Sequence, residues 1–314
     1  MNIQHYIKTI GRGARGARAL SRAQASELMG EILDGRISDL ALGAFCVAMR
    51  IKGETPEEMC GFVDAAQARL PWCSSADATR PLIVIPSYNG ARRLPLLTPL
   101  LALLLAQRGL PVLLHGMATE TGRTTSAEVL QALGNPALKA PTAIAPGQVA
   151  YLPTAVMHPG LARLLATREA IGLRSSGHSL VKLLTPQTGP NLLLSSYTHA
   201  DYHDLLGTCC AQLQLNALLS RGLEGEAAAD PRRTPRYDAW LHGKHQVLQE
   251  QGAGTDNHIP GLPTAIDANS CARYTEQVLS GQLPIPAGLA QQIAWVLQLV
   301  QTSSAPWRLS PLTP

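Results

Sequence analysis

The segment Ile83-Val-Ile-Pro-Ser-Tyr-Asn-Gly-Ala-Arg-Arg93 carries the residues best suited to holding an anion. Adjacent guanidiniums at Arg92 and Arg93 follow an Asn89-Gly90 turn. No Asp or Glu occurs from Ala78 to Thr119, so the loop attracts phosphate and offers no carboxylate to hold Mg²⁺. Arg92 and Arg93 are read as phosphate contacts, with solvated surface arginines as the plainer alternative. Tyr88 beside them is placed either to stack on a base, as aromatic platforms do for single strands, or to pack as a loop tyrosine. Asn89 belongs to the same candidate loop.

Other basic residues extend the case. Arg123 lies in the loop after His115-Gly116. Arg174 and Lys182, with His178 between them, sit in an acid-free run from Ala170 to Ala200 and are expected on one helical face. Arg232, Arg233 and Arg236 form a basic loop. Arg12, Arg15 and Arg18 belong to an acid-free N-terminal run that reads either as a phosphate-wrapping arm or as a helix start. His199, Asp201, His203 and Asp204 invite a metal reading, but their order matches no dependable ligand spacing. No Gly-x-Ser-x-Gly elbow is present. No metal, no cofactor and no catalytic residue is expected.

The elements that must position these groups follow from pattern. The chain has 314 residues, 46 % hydrophobic and 15 % charged, which suits one large or two unequal folded domains. Ser21, Ser38 or Asp39, and Thr55-Pro56-Glu57-Glu58 read as starts of three helices, with Gly53 as a C-cap. Pro71 to Pro81 reads as a linker. Leu82 to Ile85 is a buried strand that Pro86 ends, and the helix after Leu94 is confined to its later part by Pro95 and Pro99. Strands over Val112–Leu114, Val149–Leu152 and Leu192–Ser196 alternate with helices over 127–133, 159–171 and 205–220. From Arg221 the pattern weakens until two helices within 270–301, and the tail from Thr302 is expected to be loose. The fold class is α/β: a small N-terminal helical domain (1–75) and a larger α/β domain with a mostly parallel sheet (76–314), its helices on both faces. Six scattered cysteines without a CxxC pair, and Met1 to Tyr6 without an apolar core, read as a reduced cytoplasmic protein. The run Leu94 to Leu105 is too short and Pro-interrupted to span a bilayer.

The ordered motifs resemble the anthranilate phosphoribosyltransferases. Ile32-Leu-Asp-Gly35 and Met49 to Glu58 are similar to that family's helical domain, and Leu114-His-Gly116 with Ser126 to Gly134 to its second phosphate-side motif. His158-Pro159, Gly172-Leu-Arg174 and Leu183 to Pro186 are similar to its anthranilate side. The departures matter more. Pro86-Ser-Tyr-Asn-Gly90 stands where those enzymes carry a Gly-Thr-Gly-Gly-Asp loop, Met117 where Asn follows His-Gly, and Gly225-Glu226 where an Asp-Glu pair holds magnesium. The narrower resemblance, through Ile7 to Gly13, Pro86 to Arg92 and Gly177 to Leu184, is to the YbiB family. It implies a homodimer formed through the small helical domain that binds DNA or RNA with little sequence preference, and absent transferase activity. The alternatives are a divergent glycosyl- or phosphoribosyltransferase acting on an unknown base, and a sensor of a small anionic ligand.

Overall fold

The computed structural model describes residues 3–13, 15–256 and 258–302. The expected loose tail lies, after Thr302, outside them. The chain opens with α1 (Gln4–Ile10), α2 (Arg22–Leu33), α3 (Asp39–Lys52) and α4 (Pro56–Gln67). Their starts are set by side chains that accept the otherwise orphaned first-turn N–H groups. Ser21 with Gln24 and Thr55 with Glu58 form capping boxes, and Ser38 accepts from the Ala41 N–H. The linker expected over Pro71 to Pro81 contains a short strand, β1 (Ser74–Ser75).

The α/β portion then runs β2 (Leu82–Ser87), α5 (Thr98–Gln107), β3 (Val112–Gly116), α6 (Ser126–Ala132), β4 (Ala143–Ile144) and β5 (Val149–Pro153). It continues through α7 (Thr154–Met157), α8 (Pro159–Ile171), α9 (Gly177–Leu180), β6 (Asn191–Tyr197), α10 (Ala200–Gln212) and β7 (Ala217–Arg221). β8 (Tyr237–Leu241), β9 (Lys244–Gln249), α11 (Ala268–Leu279) and α12 (Ala287–Thr302) complete the described chain. The main sheet has the order β5-β3-β2-β6-β7-β8-β9, with β1 and β4 paired separately. β5 through β7 are parallel, and β8 and β9 are antiparallel additions. Every residue of β2 and β3 is buried, as central parallel strands require.

Three sequence expectations need correction. β2 runs through Pro86 instead of stopping there. The Ile83 N–H bonds the β3 side and the Leu82 N–H the β6 side, so by alternation Pro86 turns its missing donor towards β6. The β6 ladder ends at Val84, so no bond is lost. The helix expected over 205–220 ends at Gln212, and Ala217 begins a strand. Gln214, at φ +52°, breaks the helix, and an apolar Ala-Leu-Leu run is short enough to suit either state. The weak pattern after Arg221 hides the β8–β9 hairpin, whose turn residues His242 and Gly243 both take positive φ.

One hydrophobic core joins the helical bundle to the sheet: Leu28, Phe45 and Phe62 belong to the same cluster as Leu164, Leu193 and Cys209. Phe45 and Phe62 meet edge to face at 5.9 Å. Within it Glu58 is fully buried and accepts from the Leu20 N–H at 2.9 Å, the Lys52 ammonium at 2.6 Å and the Thr55 N–H at 2.9 Å. Glu58→Ala leaves Lys52 without its carboxylate and two N–H groups without acceptors. The expected loss, read from urea unfolding, is about 3 kcal/mol; a change under about 0.5 kcal/mol would show that the pair is not structural.

Candidate anion-binding site

β2 lies where the strand order reverses: the chain builds outward to β3 and β5, then returns to the other side with β6 and β7. Open parallel sheets bind ligands outside the carboxyl ends of strands at such a point. Here the loop after β2 packs against residues 222–226, which follow β7. The contact is made by a carboxylate. Glu226, 2 % exposed, accepts from the N–H groups of Asn89 (2.7 Å) and Gly90 (2.9 Å), from Ser87 Oγ (2.6 Å) and from Thr98 Oγ1 (3.1 Å). Glu224 accepts from the N–H groups of Arg92 (2.7 Å) and Arg93 (3.1 Å). The Gly225 carbonyl accepts from Asn89 Nδ2 at 2.7 Å, Ser196 Oγ at 2.8 Å and Lys182 Nζ at 3.1 Å. Gly225 has φ +83°, and a Cβ there would stand 2.1 Å from Asn89 Nδ2, so the approach of the two loops requires glycine. The crevice lined by Gly90, Ala91, Leu223 and Glu224 is too narrow to admit a water molecule.

The acid-free loop of the sequence is thus met by two acids from 130 or more positions further on. Several expected contacts change accordingly. Tyr88 is 5 % exposed and bonded at 2.8 Å to His115 Nδ1, so its ring offers no stacking face. Because His115 Nε2 must donate to the Leu184 carbonyl at 3.2 Å, Nδ1 accepts from the Tyr88 hydroxyl. Burial lowers the His115 pKa to about 4, so this histidine is neutral. Asn89 is buried and its amide is used by Gly225. His178 is 7 % exposed, and burial followed by the charge of Arg174 takes its pKa down to about 3. Lys182 points inward to the Ser196 carbonyl at 2.9 Å and to Gly225. The basic helical face expected over 174–182 is a four-residue helix and one 3₁₀ turn whose polar groups serve the interior.

The remaining cations fall into separate groups. Arg123 and Arg168 share Glu120, and Arg123 also donates to the Asn89 carbonyl at 3.2 Å. Burial would raise the Glu120 pKa, but hydrogen bonds and charge from Arg123 and Arg168 bring it below the usual range. Arg174 is half-buried near these two arginines, and burial followed by their charge lowers its pKa. Arg236 is bidentate to the fully buried Asp238 and also reaches Glu250. Asp238 takes His203 and His245 as well, at 3.1 Å and 2.7 Å. Among the described residues no group of His, Cys, Asp and Glu forms a metal cluster. Arg12, Arg15 and Arg18 are exposed beyond α1, with Arg18 donating to the carbonyls of Arg15 and Ala17. Arg92 and Arg93 are exposed, and their guanidiniums have no ion pair among the described residues. Arg93 joins Arg232 and Arg233 at one open cleft, together with Arg221. Arg221 was not foreseen because the strand that ends on it was read as helix.

Comparison with known proteins bears on the family and the fold. Residues 4–69 match the helical bundle domain of the glycosyl transferase family. The chain is 37 % identical over 302 residues to the Escherichia coli (strain K12) protein YbiB, covering 95 % of this chain and 94 % of that one. The chain belongs to the YbiB family. It is also 26 % identical over 293 residues to the anthranilate phosphoribosyltransferase of Methanopyrus kandleri, covering 88 % and 84 % of the two chains. The fold matches the anthranilate phosphoribosyltransferase of Thermus thermophilus with a TM-score of 0.72 at 21 % identity, over 95 % of this chain and 88 % of that one. The Saccharomyces cerevisiae enzyme, solved with PRPP and Mg, matches with a TM-score of 0.69 at 15 % identity, over 96 % and 88 %. This member of the YbiB family therefore has a phosphoribosyltransferase-like scaffold, and no helix among its described residues is long and apolar enough to cross a membrane.

The inward Lys182 gives the site a pH signature. Burial lowers its pKa from 10.5 to about 8. The folded state therefore releases the proton before the unfolded state does. Stability rises with pH between about 8 and 10.5, by roughly 3 kcal/mol at about 1.4 kcal/mol per unit. Lys182→Met lacks this rise. Urea unfolding of both proteins at pH 7.5 and pH 10 reads it, and parallel pH profiles would refute the assignment.

Proposed function

We propose that the protein is a homodimer that binds nucleic acid with little sequence preference, on a phosphoribosyltransferase-like scaffold that has lost its pyrophosphate and magnesium chemistry. The observation that carries this reading is the fate of the anion donors after β2. Asn89 N–H, Gly90 N–H, Ser87 Oγ and Thr98 Oγ1 are spent on Glu226, while the guanidiniums of Arg92 and Arg93 stay exposed without ion pairs among the described residues. A magnesium pyrophosphate does not fit these residues. The one carboxylate at the position of the acid pair is saturated by the protein's own donors, Gly225 supplies no ligand side chain, and the crevice is too narrow to admit a water molecule. What remains is positive charge in solvent, which suits a polyanion held through its phosphates. Six buried, unpaired cysteines fit a reducing cytoplasmic setting.

The dimer reading has its own support. Leu40 and Ile51 of α3 are 86 % and 72 % exposed. With Ala44 and Val47 between them they fall at intervals of four, three and four, which makes one apolar stripe on the helix. Such a stripe is what a second copy would cover.

The reading is tested by fluorescence anisotropy of a labelled single-stranded oligonucleotide at two salt concentrations. Wild type is expected to bind with log affinity falling linearly with log salt, and Arg92→Ala/Arg93→Ala to bind more weakly with a slope smaller by about 1.4. Absence of binding at low salt would overturn it. Light scattering of Leu40→Asp/Ile51→Asp is expected to give the monomer mass where the wild type gives the dimer. A transferase acting on an unknown base is the second reading, favoured by Arg174, which is half-buried without a hydrogen-bonded carboxylate among the described residues. Pyrophosphate release from phosphoribosyl pyrophosphate across a panel of bases would support it.

A further inference from the structure

A second feature lies beside the closed crevice. The loop after β2, the end of β6 and the loop after β7 enclose an open cleft of ≈490 Å³. Arg93, Arg221, Arg232 and Arg233 line it, against two acids, Glu224 and Asp230. Neither acid is free to neutralise the far side. Glu224 is held by the Arg92 and Arg93 N–H groups, at 2.7 Å and 3.1 Å. Asp230 is gripped by Arg232 at 2.8 Å and 2.9 Å and approached by Arg233 at 3.7 Å. Arg93 and Arg221 are exposed and have no ion pair among the described residues. Four positive groups against two negative ones leave a formal excess of two charges in the cleft. Thr198 and His199, just before α10, form another wall. His199 is the N-cap of that helix, yet its side chain does not cap it.

The shape of this charge is specific. A phosphodiester carries one negative charge and its chain must leave in two directions, so it matches cations laid along a track. Here arginines from three segments converge on a single cleft, and the excess of two charges matches one dianion. The cleft adjoins the closed cradle and shares Leu94, Leu223 and Glu224 with it, but Glu226 lines only the cradle. We propose that this cleft binds a phosphomonoester, with Arg93 and Arg221 as its principal contacts and Arg232 and Arg233 closing on it from the other side. The ligand is the terminal phosphate of a nucleic-acid strand or a free nucleoside monophosphate. The first source rests on the nucleic-acid reading above; the second does not.

The test compares 5′-phosphorylated, 3′-phosphorylated and unphosphorylated oligonucleotides of one sequence by anisotropy, with wild type and Arg221→Ala, alongside calorimetric titration of adenosine monophosphate. The Arg221 side chain is exposed at a strand end and makes no hydrogen bond or ion pair among the described residues, so the variant is expected to fold, which its thermal midpoint checks. At least tenfold tighter binding of one phosphorylated form by wild type, lost in Arg221→Ala, supports the strand-end source. Adenosine monophosphate binding that Arg221→Ala abolishes, without an end preference, supports the free nucleotide, and it does so even if no oligonucleotide binds and the nucleic-acid reading fails. Equal binding of all three oligonucleotides with a flat nucleotide titration overturns the cleft proposal and leaves nucleic-acid binding standing. No response to any probe overturns both.

Discussion

The buried carboxylate of Glu226 is the constraint on which the rest of the site depends. Four donors from the end of β2, its loop and the first residue of α5 converge on it. A buried charge is tolerable only when it is this fully satisfied, and removal of any donor would expose the cost of its desolvation. The same contact fixes neighbouring geometry. Once Glu226 is seated, Gly225 presents its carbonyl to Asn89, Ser196 and Lys182, and Glu224 comes within reach of the Arg92 and Arg93 N–H groups. Backbone N–H groups at the carboxyl end of a central strand are ready donors to an anion. Here the anion is part of the chain.

Closing the cradle moves the available positive charge outward. With their N–H groups held by Glu224, Arg92 and Arg93 have a fixed backbone and free guanidiniums, which is a preorganised way to present charge. The histidine and the lysine that the sequence offers as further cations are withdrawn by burial: His178 is neutral at pH 7, and Lys182 binds carbonyls. The exposed charge of this face is therefore arginine, whose delocalised cation survives partial burial better than an ammonium.

Much of the architecture was legible because local signals were strong. Ser21, Thr55 and Thr125 each cap a helix with a partner three residues on, and the central strands are unbroken apolar runs. The β7 to β9 region was illegible for physical reasons. Ala217 to Leu219 has the composition of either a strand or a helix, and the β8–β9 turn is His242-Gly243 instead of a common Asn-Gly. The loop itself shows the sharper limit. Composition marks Tyr88 to Arg93 as an anion site, and its N–H groups do bind anions. That those anions are Glu224 and Glu226 depends on a contact spanning more than 130 residues, which no local pattern encodes.

The tethered carboxylate also decides how an outside phosphate can compete. Glu226 is delivered to the cradle at the high effective concentration of an intramolecular group, whereas a soluble anion arrives at its bulk concentration and loses translational freedom on binding. Displacing Glu226 would also strand a buried carboxylate without its four donors, a cost of several kcal/mol. An external phosphate therefore gains more at guanidiniums that no acid of the chain has claimed. Arg92, Arg93 and Arg221 meet that condition among the described residues, and Arg93 and Arg221 line the cleft beside the loops that Glu226 and Glu224 hold together. The inner surface of these loops is thus neutralised by the chain itself, and exposed arginines remain outside it.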